Sequence, residues 1–201
     1  PPRSPQERFQ ESGLRRSRAL QYILHVDAGG SADGIALDFV NEGAAGATFH
    51  VYDRRHLDRL PRRYAVEAGK RLSDRWLTDG EGSFDLLVLG PNGFMRSFVG
   101  TDPASLPAVV ARYDKKQKAL ALTVAADGSS ALDLTAGQDR YGVNRDRTLS
   151  ARGGAPARLR WDAGASHNWY DFAITTERHV FGLAGRLENG SDGVSDPLFS
   201  T

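Results

Sequence analysis

The chain has 201 residues, 40% of them apolar, which is enough to bury the core of one large domain or two small ones. It contains no cysteine, so disulfide bonds, thiolate metal sites and a cysteine nucleophile are excluded. The 26 basic and 25 acidic residues leave a net charge of +1, whereas a global nucleic-acid binder is usually more basic. We therefore expect no nucleic-acid partner.

Two kinds of segment are absent from the sequence. No apolar run reaches the roughly 18 residues that cross a bilayer, and no charged-then-apolar leader opens the chain. The first residue is proline, so the sequence also suggests a processed chain or a piece of a longer protein. We expect a soluble piece whose partner domain lies elsewhere in its parent.

Residues 1–18 predict a linker. This segment holds three prolines and five arginines but only two large apolar side chains, Phe9 and Leu14. Such a composition buries too little apolar surface to offset the entropy of ordering the chain.

From Ala19 onward, apolar residues recur at every second position in short runs separated by glycine, proline, aspartate and asparagine. Leu20, Tyr22, Leu24 and Val26 form the first run. A period of two is typical of strands that bury one face. No window of helical length has a convincing period of 3.6, because proline interrupts the closest candidate, residues 54–64. The sequence therefore predicts an all-β fold.

Arginines are concentrated between residues 54 and 75. One interpretation is a solvated sheet face with its loops. The other is a surface that holds anionic lipid headgroups or pairs with an acidic neighbouring domain. Few apolar side chains interleave with the arginines, which argues against deep membrane insertion. The candidate surface contacts in this segment are Arg54, Arg55, Arg62 and Arg63.

The two halves of the chain resemble each other at an offset of 85 or 86 residues. IALDF at 35–39 matches LALTV at 120–124, and FDLLV at 84–88 lies over YDFAI at 170–174. The repeat predicts two tandem antiparallel β-sandwich modules of immunoglobulin or fibronectin type III character, each with six or seven strands. The alternative is one sandwich or barrel with one repeat per sheet, but Pro103 and Pro107 favour a linker between two modules. The predicted divisions are a linker at 1–18, repeat 1 at 19–104 and repeat 2 at 105–201.

Two aromatic and two acidic positions recur in both halves. Trp76 coincides with Trp161, which indicates one large core aromatic per module. Asp85 coincides with Asp171, and we interpret both as structural residues that satisfy nearby loop amides.

Trp169 breaks the repeat, because its counterpart is Ser83. Neighbouring residues of a strand point to opposite faces, so if Tyr170 faces the core then Trp169 faces outward, beside His167. Trp169 and His167 are therefore candidate surface contacts, with the alternative that Trp169 covers the other module.

No catalytic, metal or cofactor site is predicted. No two of the five histidines have the i,i+2 or i,i+4 spacing that places both imidazoles on one metal. The chain also lacks a G-x-S-x-G nucleophile elbow and a glycine-rich phosphate loop.

Residues 168–197 resemble the C-terminal tandem domain of bacterial phosphocholine-preferring phospholipases C. The matching features are a Trp-Tyr-Asp strand at 169–171, an apolar-Ala-Gly step at 183–185 and Ser-Asp-Pro at 195–197. Repeat 1 departs from the pattern, with SFDLLV where the family has Trp-Tyr-Asp, so a contact made through the tryptophan would belong to repeat 2 alone.

The resemblance implies a fragment of a secreted bacterial hydrolase that cleaves phosphatidylcholine, with its catalytic residues in a separate N-terminal domain. The expected role is a non-catalytic accessory domain that docks or stabilises that catalytic domain and assists its association with a phospholipid surface. The expected location is extracellular or periplasmic. The alternative function is a carbohydrate- or surface-binding module with Trp169 as its platform.

Overall fold

The computed structural model describes residues 13–78, 80–126, 131–152 and 154–199. Within these ranges the chain forms sixteen strands and two short 3-10 turns, at Pro103–Ser105 and Pro197–Phe199. None of the helical turns is long and apolar enough to cross a membrane in the part of the chain described. The predicted all-β fold class is confirmed.

Each repeat contributes seven of the described strands, in the same order. The strands of the first repeat are β2 Leu24–Ser31, β3 Gly34–Asn41, β4 Ala47–Asp53, β5 Arg62–Val66, β6 Arg71–Leu77, β7 Phe84–Leu89 and β8 Met95–Gly100. Those of the second are β9 Ala108–Asp114, β10 Ala119–Ala125, β11 Leu132–Gly137, β12 Arg147–Ala151, β13 Ala157–Asp162, β14 Trp169–Thr175 and β15 His179–Arg186. The remaining two, β1 Arg16–Ser17 and β16 Gly193–Val194, pair with each other.

In each repeat three strands form one antiparallel sheet and four form another. The small sheets have the orders β2-β3-β6 and β9-β10-β13, and the larger groups are β5-β4-β7-β8 and β12-β11-β14-β15. Alternate residues of these strands are buried, as a sheet with one face on a core requires. The arrangement is consistent with the predicted β-sandwich modules.

Aromatic rings fill the space between the two sheets of each module. Phe39 on β3 lies 5.2 Å from Phe49 on β4, measured between ring centroids. In the second module Trp161 on β13 stacks on Phe172 of β14 at 4.2 Å. Both repeated tryptophans, Trp161 and Trp76, are buried, which confirms their predicted core role.

The two modules share a single sheet. The last strands of the repeats, β8 and β15, pair antiparallel and join the two groups of four into an eight-stranded sheet of order β12-β11-β14-β15-β8-β7-β4-β5. Ser97 lies opposite Gly182, its own counterpart at the offset of 85. The Gly182 N–H donates to Ser97 Oγ at 3.1 Å, and a Cβ at Gly182 would collide with that oxygen. An approximate two-fold axis therefore passes between these two residues.

A second pair of equivalent residues meets across the same axis. Asp27 on β2 corresponds to Arg112 on β9 at the offset of 85, and the guanidinium donates to both carboxylate oxygens, at 2.9 and 2.5 Å. Such a bidentate pair is the stronger kind of ion pair because two parallel charge-assisted bonds form at once. The two-fold axis thus brings two equivalent positions of the repeats into contact, and their side chains carry opposite charges.

Because Asp27 and Arg112 occupy equivalent positions, their charges should be exchangeable. Asp27→Arg alone would place a second guanidinium against that of Arg112 and is expected to destabilise the protein by about 2 kcal/mol. The double variant Asp27→Arg/Arg112→Asp should recover most of that loss. Urea unfolding measures both, and Lys116→Asp, on an exposed turn, should stay within about 0.5 kcal/mol of the parent. A double variant no more stable than Asp27→Arg would contradict the two-fold arrangement.

The predicted linker at 1–18 is described only from residue 13 onward, and residues 1–12 lie outside the described ranges. Its last part is fastened to the C-terminal segment through β1 and β16. Between the repeats the chain makes the turn Pro103–Ser105, which packs so closely on Gly30 of β2 that a side chain there would meet the Pro103 carbonyl. The domain limits at 18 and 104 remain predictions.

Candidate functional site

The predicted contact residues lie in two separate places. Trp169 begins β14 and pairs with Arg186, at the end of the eight-stranded sheet where β8 begins with Met95. Arg54 follows β4 and its backbone N–H donates to Asp85, near the other end of β8 at Gly100. These two places lie at opposite ends of the strands and are named here the Trp169 end and the arginine end. They are separated by the length of β8, about 17 Å.

The remaining two predicted contacts are also far from Trp169. Arg62 and Arg63 begin β5, which is the edge strand five places away from β14, the strand of Trp169. At the usual spacing between neighbouring strands this is about 24 Å. The structure therefore brings Trp169 and His167 together but leaves the arginines elsewhere.

Trp169 joins three parts of the chain. Its indole Nε1 donates to the Val194 carbonyl at 3.2 Å, and its ring lies against Gly93 in the hairpin between β7 and β8, where a Cβ would approach it to 3.0 Å. The side chain is half-buried, while His167 is exposed and has a left-handed backbone, with φ of 56°. Trp169 thus covers part of the first module, and His167 is the freer surface at this end.

A buried ion pair that sequence reasoning missed lies at the Trp169 end. Arg186 Nη1 donates to Glu188 Oε1 at 2.7 Å, and both side chains are only 2% exposed. Glu188 also accepts from Asn92 Nδ2 at 2.7 Å and from the Leu20 backbone N–H at 3.2 Å. One carboxylate therefore ties the N-terminal segment to both modules. Its counterpart at the offset of 85 is Pro103, so the repeat carried no signal for it.

A second buried polar group lies at the junction of the modules. Arg96 donates to the Tyr170 hydroxyl at 3.1 Å and to the Ala184 carbonyl at 3.1 Å, and the hydroxyls of Tyr170 and Tyr113 are 3.3 Å apart. Burial, with the neighbouring Tyr170, raises the pKa of Tyr113 well above its usual value. These groups serve the interface between modules.

His25 adjoins the same junction. Burial, followed by the nearby Arg112 guanidinium, lowers the pKa of His25, although Glu42 lies 3.2 Å from its Nε2 and opposes the shift. Its ring meets Tyr113 edge-on at 5.1 Å. A neutral imidazole packed in this way is part of the core, and the described residues contain no group of three or more His, Asp or Glu that could hold a metal ion.

The arginine end is largely neutralised by ion pairs. Arg54 Nη2 lies 2.7 Å from Asp85 Oδ1. The equivalent pair of the second repeat, Arg140 with Asp171 at 3.6 Å, lies at the Trp169 end. The two repeated aspartates therefore hold arginine side chains, where the sequence had suggested loop amides. Arg62 pairs with Asp74 at 3.0 Å and lies over the indole of Trp76 at 4.0 Å.

Exposed leucines stand out at the arginine end. Leu60 is 91% exposed and Leu57 is 76% exposed, the two highest values among the large apolar side chains described. Leu77, 70% exposed, lines a small crevice with Arg55 and His56 at the same end. Few apolar side chains interleave with the arginines in the sequence, and the spacing of two leucines in a loop does not reveal their exposure.

A groove of about 480 Å³ also lies at the arginine end, between the turn Pro103–Ser105 and the hairpin that joins β14 to β15. Three of its charged or ionisable groups are already engaged: Arg178 pairs with Asp102 at 3.2 Å, and His179 Nε2 lies 2.9 Å from the Thr101 carbonyl. Burial lowers the pKa of His179. These contacts hold the connection between the modules in place.

Comparison with known proteins gives consistent matches. The family model for the bacterial phospholipase C C-terminal domain matches twice, at residues 16–101 and 107–186. The non-hemolytic phospholipases C of Pseudomonas aeruginosa and Burkholderia pseudomallei are 36% and 37% identical, over 94% and 100% of this chain. The hemolytic phospholipase C of Pseudomonas aeruginosa is 28% identical over 94% of this chain. The chain covers only 29% to 30% of the length of these relatives.

Proposed function

This chain belongs to the family of bacterial phospholipase C C-terminal domains, and from that premise we propose that it is the non-catalytic part of a phospholipase C, docking and stabilising a catalytic region that precedes it. The parent enzyme is a secreted bacterial hydrolase of phosphatidylcholine. A relative three times as long as this chain has room for that separate catalytic region.

The observation that carries the proposal is the way in which the N-terminal segment is held. Arg15 N–H donates to Ser195 Oγ at 3.1 Å, Ala19 N–H donates to Asp192 Oδ1 at 3.1 Å, and Leu20 N–H reaches Glu188. A catalytic region joined to this segment would be delivered to the Trp169 end. His167 is exposed there and leaves a surface for it.

The use of the polar side chains supports a non-catalytic role. The ion pairs and hydrogen bonds of Glu188, Arg96 and His179 all join elements of this chain to one another. The alternative of a sugar platform gains no support from Trp169, because its N–H donor and part of its ring are already in contact with Val194 and Gly93. A flat ring that binds sugar needs an open face.

Association of two separately produced pieces tests the proposal. This chain and the upstream region of its parent are expected to elute together as a one-to-one complex, and the upstream region should melt at a higher temperature in that complex. His167→Glu should weaken association about tenfold, since a charge forced into a contact costs on the order of 1.4 kcal/mol. Glu177→Lys, on the exposed hairpin at the opposite end, is the matched control and should have no effect.

Two results would overturn this proposal. One is the absence of any complex at concentrations comparable to the effective concentration that the covalent linkage sets in the parent enzyme. The other is turnover of a phosphocholine ester by this chain alone.

A further inference from the structure

The loop at residues 54–61, together with the end of β6, forms a small apolar projection at the arginine end. Its members are Leu57, Leu60 and Leu77, each at least 70% exposed. Single exposed leucines are ordinary, but three at one end of a small module need an explanation. Leu77 of this patch lines a crevice with His56, the neighbour of Leu57 in the chain.

The fold itself does not require these leucines. In the second repeat the counterparts of Leu57 and Leu60 are Val143 and Asp146 at an offset of 86, or Gly142 and Arg145 at 85, and the counterpart of Leu77 is Asp162 at 85. At either offset, the same strands therefore form without an exposed leucine at these positions. The apolar projection is a property of the first module alone.

The charges around the leucines are balanced. Four of the five arginines between 54 and 63 pair with carboxylates: Arg54 with Asp85, Arg55 with Glu81, Arg59 with Asp53 and Arg62 with Asp74. A surface that attracts a partner mainly by positive charge would leave its arginines available. This surface instead presents both signs of charge around an apolar centre, as the headgroups of a zwitterionic phospholipid do.

The size of the patch favours a lipid surface over a protein. A stable protein interface buries roughly 800 Å² on each partner, far more than three leucine side chains supply. Insertion into the boundary between headgroups and acyl chains needs only a few apolar side chains, with arginine stems lying along the surface. A weak contact of this kind is sufficient in an enzyme that also engages lipid elsewhere, because the linkage raises the effective concentration.

We propose that Leu57, Leu60 and Leu77 form a phospholipid-surface contact that inserts into zwitterionic bilayers by burial of leucine rather than by attraction of arginine to anionic lipid. This inference rests on the proposed function for its biological setting. It differs from the expectation from sequence, in which the arginines themselves are the contact and which remains a prediction.

Flotation with phosphatidylcholine vesicles tests the contact in this chain. This chain without substitutions should bind. Leu57→Ser/Leu60→Ser should lower its partition coefficient about 100-fold, since burying each leucine is worth about tenfold or more. Phe199→Ser is the matched control, because Phe199 is 69% exposed but lies near the C-terminus at the other end. Circular dichroism of each variant should match that of the unsubstituted chain, since none of the substituted side chains Leu57, Leu60 and Phe199 is buried.

Salt and lipid charge distinguish the mechanism. Binding to phosphatidylcholine should persist at high salt and should change less than about threefold when anionic lipid is added, because four of the five arginines between 54 and 63 are already paired. Binding only to anionic vesicles at low salt would overturn the proposal and restore the arginines as the contact. An unchanged partition coefficient in the double leucine variant would overturn it as well.

An experiment with the parent enzyme distinguishes failure of this inference from failure of the proposed function. In the parent, Leu57→Ser/Leu60→Ser should reduce turnover of phosphatidylcholine in vesicles several-fold and leave turnover of a soluble phosphocholine ester unchanged. Equal loss on both substrates would contradict the lipid contact. Failure of this chain to associate with a catalytic region would refute the accessory role while leaving the vesicle result standing.

Discussion

Replacing Trp161 with alanine is expected to destabilise both modules together, by about 3–5 kcal/mol, the usual cost of truncating a buried tryptophan. Trp161 is 1% exposed and stacks on Phe172, so its loss opens a cavity between the two sheets of the second module. Because β8 and β15 continue one sheet across the modules, the first module should unfold at the same denaturant concentration as the second.

Tryptophan fluorescence measures this coupling directly. The chain has three tryptophans, so Trp169→Phe/Trp161→Ala leaves Trp76 in the first module as the only reporter. Its unfolding midpoint in urea should fall relative to that of Trp169→Phe alone. A Trp76 midpoint that does not move would mean that the modules unfold independently. Trp161→Phe, which refills most of the cavity, should show a clearly smaller shift.

Glu188→Ala is expected to destabilise the protein by about 3–5 kcal/mol, because it leaves the Arg186 guanidinium buried without its charge partner. The same change removes acceptors from Asn92 and from the Leu20 N–H. The N-terminal segment should therefore loosen, and trypsin should cleave near Arg15 and Arg18 faster than in the parent.

A double variant separates the charge from the space it occupies. Arg186→Met/Glu188→Met removes both charges at similar volume and should recover most of the stability, since apolar replacement of a buried pair is often neutral or favourable. Glu177→Ala, on an exposed hairpin, should change the free energy of unfolding by less than about 0.5 kcal/mol. A loss below about 1 kcal/mol for Glu188→Ala would show that Arg186 reaches water or another acceptor when its partner is removed.

The contact residues were only partly predictable. Trp169 was identified because it breaks the repeat, yet its packing on Gly93 depends on which hairpin of the first module lies beside it. The arginines were identified as a cluster, but their pairing with Asp74 on β6 and Asp85 on β7 depends on which strands lie beside them, and the sequence does not show this. Leu57 and Leu60 were visible in the sequence without any sign that their loop projects.

Sequence alone determined the strands, the duplication and the aromatic core, because these depend on local alternation and on one residue type recurring at a constant offset, as Trp76 and Trp161 do. The tertiary structure decided how the two copies meet. A repeat specifies two similar folds but not the symmetry that relates them, so the pairing of β8 with β15, the facing charges of Asp27 and Arg112 and the burial of Glu188 arise from contacts between residues distant in the chain. Those contacts are non-local, and no periodicity or spacing within either repeat encodes them.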